Sequence, residues 1–198
     1  MAFVSTVPVE QAAGDVRAMY ERTQGALGYV PNWAKVFSHR PDVMTGWSGL
    51  LASIRGHLDA RRYELITLAA ARALRSSYCM LAHGSVLLGK FYSAGQMTAI
   101  AADPATAELA PADVAMMAFA EKVARDASAI TEADVRALRE HGFTDAEVFD
   151  IAATAAARCF FSKVLDGVGA APDDAYMALD ERVRQTLAIG RPFTGSAT

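Results

Sequence analysis

The residues best suited to chemistry lie in one apolar stretch of this 198-residue chain, between positions 64 and 83. The stretch reads ELITLAAARALRSSYCMLAH and holds a carboxylate, a thiol and an imidazole, at Glu64, Cys79 and His83. Fifteen and then four positions separate them, so on one continuous helix the three side chains would share a face. A thiol near a carboxylate and an imidazole is typical of nucleophilic catalysis by cysteine.

A break in this helix is expected within the Arg75-Ser76-Ser77 segment, where a serine can cap a second helix. Cys79 would then lie in the first turn of the second helix, near the positive end of its dipole. His83 would follow one turn further along the same helix. This position favours the thiolate, which is the nucleophilic form of cysteine. The segment therefore predicts a reactive thiol beside an acid–base pair.

Each of these residues also has a purely structural interpretation. Cys79 can be a small buried hydrophobic residue, which is what a lone cysteine in a helix usually is. His83 can be a hydrogen-bonded core histidine, and Tyr78 can either pack or donate its hydroxyl into a site. Glu64, however, begins an apolar run and would need a partner if it faces inward. The combined spacing favours the reactive interpretation and leaves both roles of Tyr78 open.

This stretch resembles the signature of the AhpD-like alkylhydroperoxidase and carboxymuconolactone decarboxylase superfamily. That signature is a glutamate, eleven residues, C-x-x-C, three residues and a histidine. The positions that fall on it in register are Glu64, Tyr78, Cys79, Ala82 and His83. The first cysteine of the pair is replaced by Ser76. The upstream GYVPNW segment resembles the start of a branch of the family that is described only as peroxidase-related.

The resemblance implies that Cys79 reduces a hydroperoxide and becomes a sulfenic acid. It implies that Glu64, directly or through water and His83, moves the proton. Ser76 cannot resolve the sulfenic acid, and nothing in the sequence places Cys159, the other thiol, within disulfide range. The implied enzyme is therefore a one-cysteine peroxidase that needs an external thiol reductant and no cofactor.

Three other functions are compatible with the same residues. Related decarboxylases suggest acid–base chemistry on a small cyclic acid or lactone, which suits Ser76 but leaves Cys79 without a role. A catalytically inactive oligomeric scaffold would use the motif for packing alone. A metal site formed by Glu64, Cys79, His83 and His57 is the least favoured, because no paired Glu-x-x-His or close Cys/His cluster occurs. No metal is predicted.

The amino-acid composition argues against several classes of protein. The chain is 53% hydrophobic and 21% charged, with a net charge of −3 and a pI near 5.8. It therefore has no basic surface for nucleic acid or an anionic membrane. It contains neither a run of about eighteen apolar residues nor the basic and apolar pattern of a signal peptide. We expect a cytoplasmic protein with reduced thiols.

Hydrophobic periodicity indicates helices almost everywhere, so the predicted fold is all-α. The resemblance specifies an AhpD-like helical bundle as a single domain over residues 1–198, with its core at about 20–185 and a flexible tail from about 190. A first helix is predicted from Pro8 to about Leu27 and a last one from Asp173 to Ala188. Two predicted helices between them, roughly 60–74 and 77–89, carry the motif. A third, roughly 145–165, has almost no charge from Ile151 to Ala157, which predicts burial in the core or in an interface. We therefore expect a homo-oligomer, which the resemblance makes a dimer, trimer or hexamer.

Overall fold

The computed structural model describes residues 2–195, which form ten α-helices and contain no β-strand. This confirms the all-α prediction. None of these helices is long and apolar enough to cross a membrane. The helices are α1 (Gly14–Leu27), α2 (Asn32–Val36), α3 (Pro41–Arg55), α4 (Ala60–Ala73), α5 (Ser77–Lys90), α6 (Ala94–Ala102), α7 (Pro111–Asp126), α8 (Glu132–Glu140), α9 (Asp145–Gly167) and α10 (Glu181–Leu187).

Helix α4 is the centre of the bundle and packs against α5, α7 and α9. It begins after Asp59, whose carboxylate accepts hydrogen bonds from the backbone N–H groups of Arg61 and Arg62. Every residue from Tyr63 to Ala71 is buried, because neighbouring helices cover most of its circumference. The two predicted motif helices therefore correspond to α4 and α5 within one residue at each end.

The corner between α4 and α5 brings the two motif helices side by side. Arg75 adopts a left-handed backbone conformation, with φ of 55°, and so reverses the chain. Ser76 is the N-cap residue of α5, as predicted, but its hydroxyl makes no capping hydrogen bond. The corner thus places Cys79 in the first turn of α5 without using the serine hydroxyl.

The C-terminal segment packs against this corner. The backbone N–H of Gly190 donates to Ser77 Oγ at 2.9 Å, and Ser77 Oγ donates to the carbonyl of Arg191 at 2.7 Å. A Cβ atom at position 190 would collide with the carbonyl of Arg75, so the close approach requires glycine. The predicted flexible tail from about 190 therefore begins with residues that contact the corner. Its last three residues, 196–198, lie outside the described residues.

Helix α9 packs against α3, α4 and α7, which buries four of the seven residues of the uncharged run and leaves Ala156 exposed. It begins with a capping box in which Thr144 and Glu147 satisfy each other's backbone N–H groups. It also exposes two large apolar side chains, Phe149 and Phe160. The homo-oligomer stays a prediction.

Two helix boundaries differ from the sequence-based expectations. The expected first helix from Pro8 is a 3₁₀ turn at Val9–Gln11 followed by α1. The expected final helix from Asp173 to Ala188 is a 3₁₀ turn at Asp174–Ala178 followed by α10. Asp180 separates these last two pieces, because its carboxylate caps α10.

Candidate active site

The structure brings together two of the three predicted site residues, Glu64 on α4 and His83 on α5. The Nδ1–H group of His83 donates to Glu64 Oε2 at 2.6 Å. Glu64 is buried, so the inward-facing glutamate has the partner that the sequence analysis required. The hydrogen bond also fixes the tautomer of His83, since Nδ1 carries the proton that Glu64 accepts.

The charges around this pair determine which groups are ionised. Burial lowers the pKa of His83, and the positive charge of Arg158 lowers it further, which together outweigh the opposing effect of Glu64. Burial alone would raise the pKa of Glu64, but the hydrogen bond from His83 and the charges of Arg55 and Arg158 outweigh it, so that pKa is lowered. At neutral pH the carboxylate is therefore anionic and the imidazole is neutral. Nε2 of His83 is left without a proton and can act as a base.

Cys79 is the third predicted residue, and its direct partners come from α9. Its Sγ atom receives a hydrogen bond from Ser162 Oγ at 3.1 Å and a longer one from Arg158 Nη1 at 3.9 Å. Within residues 2–195, neither Glu64 nor His83 is hydrogen-bonded to this sulfur. Both donors come from α9, and one of them carries a full positive charge.

Arg158 is a candidate site residue that lies outside the sequence motif. It is the only charged residue between Asp150 and Lys163, one position beyond the run whose lack of charge predicted burial. Its side chain is 3% exposed, and its Cζ atom lies 5.6 Å from the ring centroid of Trp47 and 5.4 Å from that of Phe161. A single cation within an otherwise uncharged stretch of a packed helix is the signal that could have identified it.

Three buried side-chain donors have no hydrogen-bond partner within the described part of the chain, and all three are close to Cys79 or in contact with its partners. They are Trp47 Nε1, Ser76 Oγ and Arg158 Nε. Ser76 is one turn before Cys79, and Trp47 contacts Arg158. An unpaired buried polar group costs roughly 1–3 kcal/mol. Their concentration around one thiol makes this neighbourhood the candidate binding site.

Tyr78 donates its hydroxyl to Asp173 Oδ2 at 2.6 Å rather than to Cys79. The same hydroxyl accepts a hydrogen bond from the backbone N–H of Trp33, and the backbone N–H of Asn32 donates to Asp173 Oδ1 at 2.6 Å. Burial raises the pKa of Asp173. Tyr78 and Asp173 therefore tie α5 to α2 and to the C-terminal segment, and every polar group in this network has a partner.

The remaining predicted candidates lie elsewhere. Cys159 is a free thiol whose Sγ is 3.9 Å from the carbonyl of Ala124 on α7. His57 is exposed at the surface, whereas Glu64 and Cys79 are buried. Within residues 2–195, no three His, Cys, Asp or Glu side chains are arranged to hold a metal ion. The other histidines outside the site are also exposed, namely His39 and His141.

An apolar groove of about 590 Å³ lies between α3 and α9. Trp47 forms part of its wall, and the ring of this residue also stacks on Phe161 with the centroids 4.3 Å apart. Trp47 therefore connects the groove to the arginine beside the thiol. The groove is lined by Val43, Gly46, Trp47, Leu50, Ile54, Ala153, Ala156, Ala157 and Phe160.

Comparison with known protein families gives one match. The model of the carboxymuconolactone decarboxylase family matches residues 41–122. This region contains Glu64, Cys79 and His83 but not Arg158 or Ser162. No curated protein sequence matches the chain.

Several solved structures share the fold. One is the AhpD core of an uncharacterized peroxidase-related protein from Ralstonia eutropha JMP134, with 29% identity, a TM-score of 0.81, and coverage of 90% of this chain and 95% of that one. Another peroxidase-related protein, from Silicibacter sp. TM1040, has 23% identity, a TM-score of 0.76, and coverage of 89% and 91%. A cysteine-to-alanine variant of the debrominase Bmp8, in complex with 2,3,4-tribromopyrrole, has 16% identity, a TM-score of 0.72, and coverage of 93% and 95%.

Proposed function

Because the chain belongs to the AhpD-like carboxymuconolactone decarboxylase superfamily, we propose that it is an enzyme that reduces hydroperoxides at Cys79. In this proposal Glu64 and His83 act as the proton relay. An external thiol returns the cysteine to its reduced form. The peroxidase-related names of two structural neighbours agree with this function, although they concern those proteins.

The observation that carries the proposal is the set of donors around the sulfur. Ser162 Oγ and Arg158 Nη1 both donate to Cys79 Sγ, from a helix that packs over the first turn of α5. The helix dipole of α5 adds partial positive charge on the other side. A thiolate is therefore stabilised by a neutral donor, a full positive charge and a dipole.

The reaction can be written with its atoms and electrons balanced. The thiol proton passes to the His83–Glu64 pair, and the thiolate attacks the terminal oxygen of the hydroperoxide. An S–O bond forms and the O–O bond breaks, so Cys79 is oxidised by two electrons to a sulfenic acid. The leaving alkoxide takes the proton back from the relay and departs as an alcohol.

The sulfenic acid must then be reduced from outside. Ser76 occupies the position from which a second cysteine would attack, and the Cys159 thiol contacts Ala124 instead. A small external thiol would form a mixed disulfide with Cys79 and release water, and a second thiol would regenerate the free cysteine. The proposal therefore requires two equivalents of thiol for each hydroperoxide.

Replacement of the thiol tests this function. We expect Cys79→Ser to abolish hydroperoxide-dependent oxidation of dithiothreitol, and Cys159→Ser, the matched control, to retain it. Mass spectrometry of the wild type should find a dimedone-trapped sulfenic acid at Cys79 after peroxide treatment. Full turnover by Cys79→Ser would contradict the mechanism.

The serine that replaces the first cysteine offers a complementary test. Ser76 is fully buried one turn before Cys79, and its hydroxyl has no partner among residues 2–195. We expect Ser76→Cys to form a disulfide with Cys79 after peroxide treatment and to raise turnover with a dithiol reductant. Persistence of the sulfenic acid in this variant would show that the two positions cannot react.

A second candidate function is acid–base chemistry on a small cyclic acid or lactone. It is favoured by the neutral His83, whose free Nε2 is a base that does not need the thiol. Under this alternative, Glu64→Gln would abolish activity on the substrate and Cys79→Ser would not. The two variants therefore separate the two functions.

A further inference from the structure

Two of the unpartnered donors near the thiol belong to side chains that contact each other. Arg158 Nε and Trp47 Nε1 are both buried without an acceptor among the described residues, and Arg158 Cζ lies 5.6 Å from the Trp47 ring centroid. Guanidinium and indole N–H groups can donate hydrogen bonds but cannot accept them. The group that would satisfy both must therefore be an acceptor.

The positive charge of Arg158 favours an acceptor that is an anion. Arg158 is 3% exposed, and its charge acts on Glu64, but no carboxylate within residues 2–195 is close enough to form an ion pair with it. A buried positive charge is stabilised by an anion, and the guanidinium group matches a carboxylate in charge and geometry. An organic carboxylate would supply negative charge and acceptor oxygens together.

The lining and the size of the groove between α3 and α9 indicate the chemical nature of the rest of the ligand. Trp47 forms part of its wall, and its other lining residues are apolar or glycine. Its volume of about 590 Å³ is large enough for a ring or a short aliphatic chain. Trp47 therefore lies between the apolar groove and the buried guanidinium group of Arg158.

We propose that Arg158 and Trp47 form a subsite for an organic acid with an apolar body. The carboxylate accepts hydrogen bonds from both donors, and the aromatic or aliphatic body lies in the groove. The subsite adjoins Cys79, so this inference rests on the proposed function and names its substrate class, an apolar hydroperoxide that carries a carboxylate.

Calorimetric titration with benzoate and with benzamide tests the subsite, because the two probes have similar shapes and differ in charge. We expect benzoate to bind at least about tenfold more tightly than benzamide, since it accepts charge-assisted hydrogen bonds. Trp47→Phe, which keeps the ring and removes the N–H, should weaken benzoate binding about tenfold. Trp33→Phe, the same substitution at the other tryptophan, should leave benzoate affinity unchanged.

Ala153→Leu provides a second variant that narrows the groove without altering either donor. It should weaken benzoate binding, and thermal unfolding should verify that each variant is folded. Equal binding of the two probes overturns the subsite, as does unchanged benzoate affinity in both Trp47→Phe and Ala153→Leu.

A parallel measurement separates this inference from the proposed function. Oxidation of Cys79 by hydrogen peroxide, followed by mass spectrometry without benzoate, reports the thiol chemistry alone. An oxidised Cys79 in a protein that does not bind benzoate would overturn the subsite and leave the peroxide chemistry intact. Tight benzoate binding by a protein whose Cys79 is inert would support the subsite and contradict the proposed peroxide reduction.

Discussion

Two buried ionic centres adjoin α4, and they differ in how their charges are paired. Near its start, Asp113 of α7 accepts hydrogen bonds from Arg61 Nη2 at 2.7 Å and from Arg62 Nε at 2.9 Å. Near its middle, Arg158 of α9 lies beside Cys79 and forms no ion pair with a carboxylate in the described part of the chain. In the first centre two cations share one carboxylate, whereas in the second no carboxylate oxygen within residues 2–195 forms an ion pair with the cation.

This difference separates a structural role from a functional one. The carboxylate of Asp113 is buried, but both of its oxygens are bonded and the two arginines remain partly in water, with about 30% of each side chain exposed. Arg158 is buried with an unpartnered Nε, which lowers stability unless something binds there. The first centre joins α4 to α7, whereas the second, under the proposed function, keeps a positive charge available to the thiol and to a ligand.

The Tyr78–Asp173 network supports the same distinction. It is as buried as the surroundings of Cys79, yet each of its polar atoms has a partner on α2 or in the C-terminal segment. Unpaired polar atoms in the described residues are therefore confined to the neighbourhood of the thiol and Arg158. Incomplete pairing marks the functional region of this fold more sharply than burial does.

The largest expected effect on stability is at the paired centre. Asp113→Asn should lower the free energy of unfolding by about 3 kcal/mol, because it leaves two arginines without their anionic partner. The arginines are partly exposed, so the loss should be near the lower end of the range for buried ion pairs. Urea denaturation measures the change. Asp42→Asn, which breaks the exposed pair with Arg40, is the control and should have no measurable effect. An unchanged free energy of unfolding in Asp113→Asn would contradict the structural role of this centre.

Loss of the charge at Arg158 should have little effect on stability and a large effect on the reactivity of Cys79. Arg158→Met replaces a buried charge by an apolar side chain of similar length, so the free energy of unfolding should change by less than about 1 kcal/mol. Alkylation of Cys79 by iodoacetamide at neutral pH should slow by roughly tenfold or more, because the charge that favours the thiolate is lost.

Arg158→Lys is the matched control for that prediction. It keeps the positive charge and should restore much of the alkylation rate, since the thiolate responds to charge rather than to the guanidinium shape. A large loss of stability in Arg158→Met without a change in alkylation would place this arginine with Asp113 as a structural group.

The stability of the protein at low pH should depend on the Glu64–His83 pair. The pKa of His83 is lowered by burial and by Arg158, so between its usual value of about 6.5 and its lower folded value the unfolded state binds more protons. Stability therefore falls as the pH drops below about 6.5. The lowered pKa of Glu64 gives a second loss in the same direction, which begins only near pH 4.3.

Comparison with His83→Gln isolates the first of these losses. Between about pH 7 and pH 5.5, the wild type should lose more of its unfolding free energy than the variant does. The other three histidines are the same in both proteins, so their contributions cancel in the difference. Equal losses would mean that His83 is not held neutral in the folded protein.

The sequence predicted those parts of the molecule that depend on local patterns. Helical periodicity identified α4 and α5, and the motif spacing identified Glu64 and His83, which the corner brings together. The same spacing identified Cys79, whose direct partners lie on α9. The break at Asp180 was missed because an amphipathic pattern continues across the cap. A single acidic residue within such a pattern does not reveal that the helix restarts there.

The direct partners of the thiol could not be predicted in this way. Arg158 and Ser162 lie 79 and 83 positions from Cys79, on a helix whose orientation is set by packing against α3, α4 and α7. Neither residue belongs to a motif with fixed spacing to the cysteine. Only the lone charge at position 158 distinguished that helix from an ordinary core element.

The smallest expected effect, at Ser162, decides how the surroundings of the thiol work. Ser162→Ala removes the nearest donor, at 3.1 Å from Sγ, but leaves the charge of Arg158 in place. A neutral hydrogen bond is worth about 1 kcal/mol, so Cys79 alkylation at neutral pH should slow about fivefold, less than in Arg158→Met. Ser85→Ala, whose hydroxyl bonds only to its own helix, should not alter the rate. If Ser162→Ala instead slows alkylation more than Arg158→Met, the short neutral hydrogen bond controls the thiol, and the unpaired arginine serves ligand binding alone.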